Sequence, residues 1–185
     1  MNNTYLGIDI GGTAAKIGMV KEDGKILATD SFSVSFDHYQ TPIIETVIKN
    51  TDAFLKKSGI LPASLSGIGV SATGQVNTIE GTITGSAGHI ANWLGTPVKT
   101  ILEEHYHLPA SVANDANCAV IGEQWQGAAR NCSDVIMITV GTGVGGGIAG
   151  HALQRGTSAS YCAATQASAR ASPSASKGNS AKAFC

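Results

Sequence analysis

Ile8-Asp9-Ile10-Gly11-Gly12-Thr13 runs an apolar, β-branched strand straight into a glycine turn, and Ile138-Thr139-Val140-Gly141-Thr142-Gly143 does so again much further along the chain. Residues without a Cβ let a backbone close to hydrogen-bonding distance of an oxyanion. Successive N–H groups in such a turn form an anion-binding concavity, and the hydroxyls of Thr13 and Thr142 rotate to suit a phosphate oxygen. Either turn alone reads equally well as an ordinary hairpin. The two together, with an acid inside the first, point to a phosphate clamp built from two lobes.

Between the turns, strands and helices alternate. Tyr5 to Ile10, Ala15 to Val20 and Lys25 to Val34 read as three successive strands of a meander, the last two joined at Glu22-Asp23-Gly24. Thr41 is expected to cap a helix that starts at Pro42, carries Ile44, Val47, Ile48, Phe54 and Leu55 on its apolar face and ends at Gly59. Ser66 to Ala72 returns as a strand. A second helix from Thr96-Pro97 turns Val98, Ile101 and Leu102 inward and leaves Glu103 and Glu104 in solvent. A third follows Asn114-Asp115, packs Ala116, Ala119, Val120 and Trp125, and ends about Gly127. Val135 to Val140 opens a fresh sheet. The pattern is α/β, with one lobe complete and a second only begun.

Few residues can carry chemistry. Asp9 lies inside an apolar strand, where a charge is costly unless it meets a cation, water or good donors. Its functional reading is a carboxylate that holds Mg²⁺ through water beside the phosphates, and its structural alternative is an Asp bonding the turn's own N–H groups. Lys16 is either a phosphate contact or a solvated strand lysine. Asn114-Asp115 stands where a strand meets a helix, the edge at which open α/β sheets bind ligands. A carboxylate there accepts the proton of an alcohol attacking a γ-phosphoryl group while the neighbouring amide orients that alcohol; both residue types also serve as plain helix caps. Gly74, in Ser71-Ala72-Thr73-Gly74-Gln75, lets a ligand come close to another post-strand loop. His89, Asn92 and Trp93 offer polar and aromatic contacts to a sugar, or are structural. His105 and His107 are two apart, which is not the spacing of a zinc pair on one helix face.

Composition bounds the rest. The 185 residues carry a formal net charge of -1 and 43% hydrophobic content, which suits a globular protein and argues against a nucleic-acid partner. No 18-residue apolar run reads as a membrane span, and Met1-Asn2-Asn3-Thr4 lacks a basic secretory n-region, so a cytoplasmic location is expected. Cys118, Cys132, Cys162 and Cys185 show no metal-ligand spacing and read as free thiols. Asp134 is the last acid, and positions 151–185 hold ten Ala and seven Ser among 35 residues. With Leu153, Tyr161 and Phe184 as its only large apolar side chains, this tail is expected to be disordered, as an out-of-frame or truncated continuation. The expected division is therefore 1–128 for the first lobe, 129–150 for the start of the second, and 151–185 for the tail.

Gly141-Thr142-Gly143-Val144-Gly145-Gly146 also satisfies GxGxxG, but a dinucleotide site wants a helix next and an acid about twenty residues on. Gly147-Ile148-Ala149-Gly150 follows instead, and no acid comes after Asp134, so a hairpin is expected.

Taken in order, the first glycine turn, Asn114-Asp115-Ala116-Asn117 with Gly122-Glu123, and Gly141 to Gly147 resemble the ROK family of bacterial sugar kinases and repressors. The resemblance covers about residues 4 to 150, including the loop Gly85 to Val98. It implies an actin-like ATPase (ribonuclease H-like) fold whose two lobes close on ATP and a sugar. By that resemblance Gly11, Gly12, Thr13, Gly141, Thr142 and Gly143 handle phosphates, Asp115 is the general base and Asn114 binds sugar hydroxyls. Family members continue past this chain's end with a Glu and His segment, a zinc-binding cysteine cluster and the adenosine pocket. None of these is present, so the structural zinc of intact relatives is not expected here and kinase activity is expected to be impaired. By the same resemblance homodimers are common among intact relatives, and the oligomeric state of this chain is left open. The alternative class is the family's sugar-sensing transcriptional regulator, whose N-terminal helix-turn-helix has no room before a strand that begins by Tyr5.

Overall fold

The computed structural model describes residues 3–86, 90–140, 144–150 and 180–184. In chain order the elements are β1 (Thr4–Ile10), β2 (Ala14–Lys21), β3 (Ile26–Ser33), α1 (Ile43–Ser58), β4 (Ile68–Ala72), a small hairpin of β5 (Gln75–Asn77) and β6 (Thr82–Gly85), α2 (Val98–Tyr106) and β7 (Ala110–Asn114). α3 (Asp115–Gln126) leads on to β8 (Val135–Val140) and β9 (Val144–Ala149).

The main sheet has the order β3-β2-β1-β4-β7. β1, β2 and β3 pair antiparallel as a meander, while β4 runs parallel to β1 and β7 parallel to β4. Parallel pairing puts the carboxyl ends of β1, β4 and β7 at one edge, with Ile10 beside Ala72 and Ala72 beside Asn114. That register sets the positions of Asp9 and Asn114 along the edge. Leu6, Ile8, Ile10, Ile17, Ile68, Val70 and Val112 are fully buried and join Val47, Trp93, Val98 and Leu102 in one core. Burial of each such side chain stabilises the fold by about 1.5–3 kcal/mol relative to exposure.

Local departures from expectation have simple causes. Pro42, with ψ 137°, is the N-cap of α1, and it has no side-chain oxygen to cap with; Thr41, the expected cap, lies one residue before it, with its N–H donated to the Asp37 carboxylate at 2.8 Å. The other end stops at Gly59 in the left-handed region, φ 67°, as expected. α2 buries Val98 and Leu102 as expected and Tyr106 as well, while Ile101 is partly buried against the same core. Glu103 is not simply solvated: its Oε1 accepts the Ala110 N–H at 2.9 Å and ties α2 to the start of β7.

β8 and β9 form the expected hairpin, paired from Val135↔Ala149 to Val140↔Val144. One face of it, Val135, Met137 and Ala149, packs with Val120 of α3 in a second core, while Ile136, Ile138 and Ile148 are exposed. Disorder across the whole tail is corrected at β10 (Ser180–Phe184), which pairs antiparallel with β8. An unpaired strand edge accepts any extended chain without reading its side chains. The remainder of the tail lies outside the described residues. Cys118 is buried, its thiol 3.8 Å from the carbonyls of Val70 and Ala113, whereas Cys132, expected as a free thiol, is disulfide-bonded. Sequence spacing does not report which cysteines meet in space.

Candidate active site

Asp9 sits next to last in β1, beside Lys16 on β2 and Ser71 on β4. The Ser71 hydroxyl donates to Asp9 Oδ1 at 2.7 Å. Burial raises the Asp9 pKa above its ordinary value; the Ser71 bond and the charge of Lys16 oppose that shift, and the charge of Asp115 adds to it. The two carboxylates, far apart in sequence, stand at the same edge of the sheet, Asp9 next to the end of β1 and Asp115 just past the end of β7.

Asn114 closes β7 and caps α3. Its Oδ1 accepts the Ala116 N–H at 3.0 Å, and its Nδ2 donates to the Gly74 carbonyl at 2.7 Å. A primary amide has two donors and two lone pairs, so Asn114 keeps one of each for a ligand after both structural bonds are made. Asp115 is exposed in the first helical turn, with Oδ1 accepting the Ala116 N–H at 2.8 Å. Its charge is favoured by the helix dipole there. Gly74 has φ 98°, and a Cβ on it would strike the Gly85 carbonyl. A recess of about 320 Å³ opens here, lined by Gly74, Gln75, Gly85, Ser86 and Asn114.

The first glycine turn leaves β1 at the same edge. The Gly11 N–H bonds the Ala14 carbonyl at 3.0 Å, and Gly12 lies against Ile90, whose Cδ1 would be 3.3 Å from an added Cβ. Gly147 of β9 runs against the start of α3, where an added Cβ would come within 2.5 Å of the Ala116 carbonyl oxygen. The second hairpin is thereby seated beside the helix turn that carries Asp115.

A family model described as the ROK family matches residues 5–161. The chain belongs to the ROK family. Among relatives, it is 38% identical over 143 residues to the β-glucoside kinase of Listeria monocytogenes, covering 76% of this chain and 44% of that protein. To the glucokinase of Halalkalibacterium halodurans it is 35% identical over 146 residues, covering 78% and 43%. A ROK glucokinase from Streptomyces griseus solved with glucose and AMPPNP superposes with a TM-score of 0.66 at 33% identity, over 81% of this chain and 45% of that one. The fold is thus the actin-like ATPase fold of ROK kinases. A ROK transcriptional regulator also superposes, with a TM-score of 0.69 at 19% identity, a likeness of fold alone. The chain spans less than half the length of these relatives.

Set against the ROK motifs, the structure brings Asp9, Lys16, Asn114, Asp115 and Gly74 to one sheet edge, with Gly11, Gly12 and Thr13 leaving β1 there. Gly141, Thr142, Gly143 and His89 lie outside the described residues. Asn92 is exposed with φ 57°, and its carbonyl accepts the Thr96 hydroxyl at 3.2 Å. Trp93 is not available as a sugar platform: it is fully buried and donates Nε1–H to the Thr73 carbonyl at 2.9 Å. It shapes the Thr73-Gly74 loop from behind. Gln75, Gly85 and Ser86 were not expected in the recess; Gly81 and Gly85 around a short β-type run were the signal for that hairpin.

Proposed function

We propose that the chain carries the sugar-binding and base-supplying part of an ATP-dependent sugar kinase, with Asp115 as general base. The observation that carries this reading is the convergence of Asp9, Asn114 and Asp115 at the carboxyl edge of β1, β4 and β7, next to the Gly74–Gly85 recess. Hexoses or β-glucosides are the substrate class, in line with the relatives' names.

In the proposed reaction a sugar hydroxyl rests in the recess, oriented by the remaining donor and acceptor of Asn114. Asp115 takes its proton as the oxygen attacks the γ-phosphorus of ATP in line, and the bond to the β-phosphate oxygen breaks to leave ADP. Gly11, Gly12 and Thr13 on one side, and Gly141, Thr142 and Gly143 on the other, receive the phosphates. Closure of two lobes over them excludes water as a competing acceptor. The residues fit a Mg²⁺ ion held through water: a hard cation that keeps its waters needs only one or two carboxylates besides phosphate oxygens, and Asp9 has one oxygen engaged by Ser71. Bound there, Mg²⁺ would neutralise phosphate charge. Lys16, opposite Asp9, adds a second positive charge on the same side. Residues 1–128 make the first lobe in this scheme, 129–150 begin the second, and 151–185 take no part in catalysis.

A coupled assay for ADP release over a panel of hexoses and β-glucosides tests the reading. It is run on the chain and on a chimera joining its residues 1–150 to the C-terminal half of the Listeria β-glucoside kinase. Sugar-dependent turnover by the chimera, with little or none from the chain alone, is expected. A folded chimera that hydrolyses or transfers nothing with any sugar would overturn it.

A further inference from the structure

The connection between β3 and α1 grips the first glycine turn from one side. The Tyr39 hydroxyl donates to the Gly12 carbonyl at 2.7 Å. The next carbonyl, that of Thr13, accepts the Val34 N–H at 3.0 Å and the hydroxyls of Ser33 and Ser35 at 3.3 Å each. His38 and Tyr39 both adopt the left-handed region, φ 56° and 62°. Side chains with a Cβ pay for that conformation, which persists only where the surroundings over-determine it. The Asp37 carboxylate helps by holding the Thr41 N–H and closing the segment on itself.

A trans peptide points its carbonyl and its N–H in opposite directions, and no peptide among the described residues is cis. A Gly12 carbonyl fixed towards Tyr39 therefore aims the Thr13 N–H at the opposite face of the turn. Among the described residues no acceptor meets the N–H of Gly12 or of Thr13. Two successive donors are thus left open on a backbone whose orientation is set from behind. Without the hydroxyl, this peptide, with glycine on its N-terminal side, loses the bond that fixes its plane, and rotation would turn a carbonyl oxygen to the same face.

We propose that Tyr39 is a positioning residue that presets the Gly12–Thr13 peptide, so that its N–H faces an incoming phosphate chain. The proposal rests on the reading of Gly11-Gly12-Thr13 as a phosphate turn. Tyr39 touches no phosphate itself; it acts through one carbonyl. Its ring packs against the main core, so Tyr39→Phe removes the hydroxyl and keeps the packing.

The test is a titration of the ¹⁵N-labelled 185-residue chain with inorganic tripolyphosphate, followed at individual amides, for wild type and Y39F. Wild type shows saturable shifts of the Gly12 and Thr13 amides. Y39F binds roughly two- to tenfold more weakly, as expected for one neutral hydrogen bond, with the Thr13 amide already displaced before any anion is added and the amides of Ile8, Val70 and Val112 unchanged. Equal affinity and equal Thr13 shifts in the two proteins would overturn the role of Tyr39 while leaving the phosphate turn intact. Absence of any response in wild type would overturn the phosphate turn, and the proposal with it. A Y39F protein that lost the wild-type dispersion at Ile8, Val70 and Val112 would make Tyr39 a packing residue and also overturn the proposal.

Discussion

Replacing Asn114 separates its structural work from its proposed work on substrate. Asn114→Ala removes two bonds at once, the cap to the Ala116 N–H at 3.0 Å and the tie to the Gly74 carbonyl at 2.7 Å. Loss of an N-cap costs about 1 kcal/mol, and loss of a part-buried neutral hydrogen bond about 1 kcal/mol more. The expected destabilisation is therefore about 2 kcal/mol, a fall in melting temperature of about 4–8 °C at the scaling usual for a chain of this size. Asn114→Ser keeps a capping oxygen and loses only the Gly74 tie, so it should cost about half as much. Urea unfolding of the three proteins, compared at unchanged m-value, reads both differences. An Asn114→Ala protein within 0.5 kcal/mol of wild type, or an Asn114→Ser protein as damaged as Asn114→Ala, would refute the division of roles.

Asp9 has a folded pKa above its ordinary 3.8 chiefly because it is buried. An acid of that kind opposes folding fully when pH exceeds its folded pKa, and not at all below its unfolded one. Asp9→Asn should melt higher than wild type at neutral pH, with the gap closing as pH falls through the raised folded pKa towards 3.8; a gap that widens in acid would show the carboxylate to be stabilising. Gly147→Ala would drive a Cβ into the Ala116 carbonyl. Overpacking of this sort costs about 1–3 kcal/mol, and it should appear as faster amide exchange in β8 and β9 while β1 and β4 stay protected.

The order of the site along the sheet edge was legible because each motif follows a short apolar run of strand length. Ile8-Asp9-Ile10 ahead of two glycines, and Ala110 to Ala113 ahead of Asn114-Asp115, each announce a strand end. Parallel pairing then brings those ends together. The recess was less legible. β5 and β6 are three and four residues long, too short for alternation to emerge, and Gly74 owes its need for a missing Cβ to Gly85, a partner that only the folded hairpin supplies. Trp93 reads from sequence as either a sugar contact or a structural residue, and the fold decides for the second, since its indole N–H is satisfied internally by Thr73. Nor did Tyr39 declare itself, since its bond to Gly12 depends on two successive left-handed residues in a stretch with no glycine. Tail composition argues against a packed core, but it says nothing about whether a short extended segment meets an unpaired strand, as Ser180–Phe184 does with β8.

The central claim is that Asp115 accepts the proton of the sugar hydroxyl. The most direct measurement is the steady-state kinetics of the chimera carrying residues 1–150, with and without Asp115→Asn, at saturating ATP. A lost general base should lower kcat by about 10²–10⁴-fold and leave the KM for sugar nearly unchanged, because Asn114 and the recess still hold the substrate. An Asp115→Asn chimera that keeps kcat within about tenfold of its parent, below the smallest effect expected of a general base, would contradict the account.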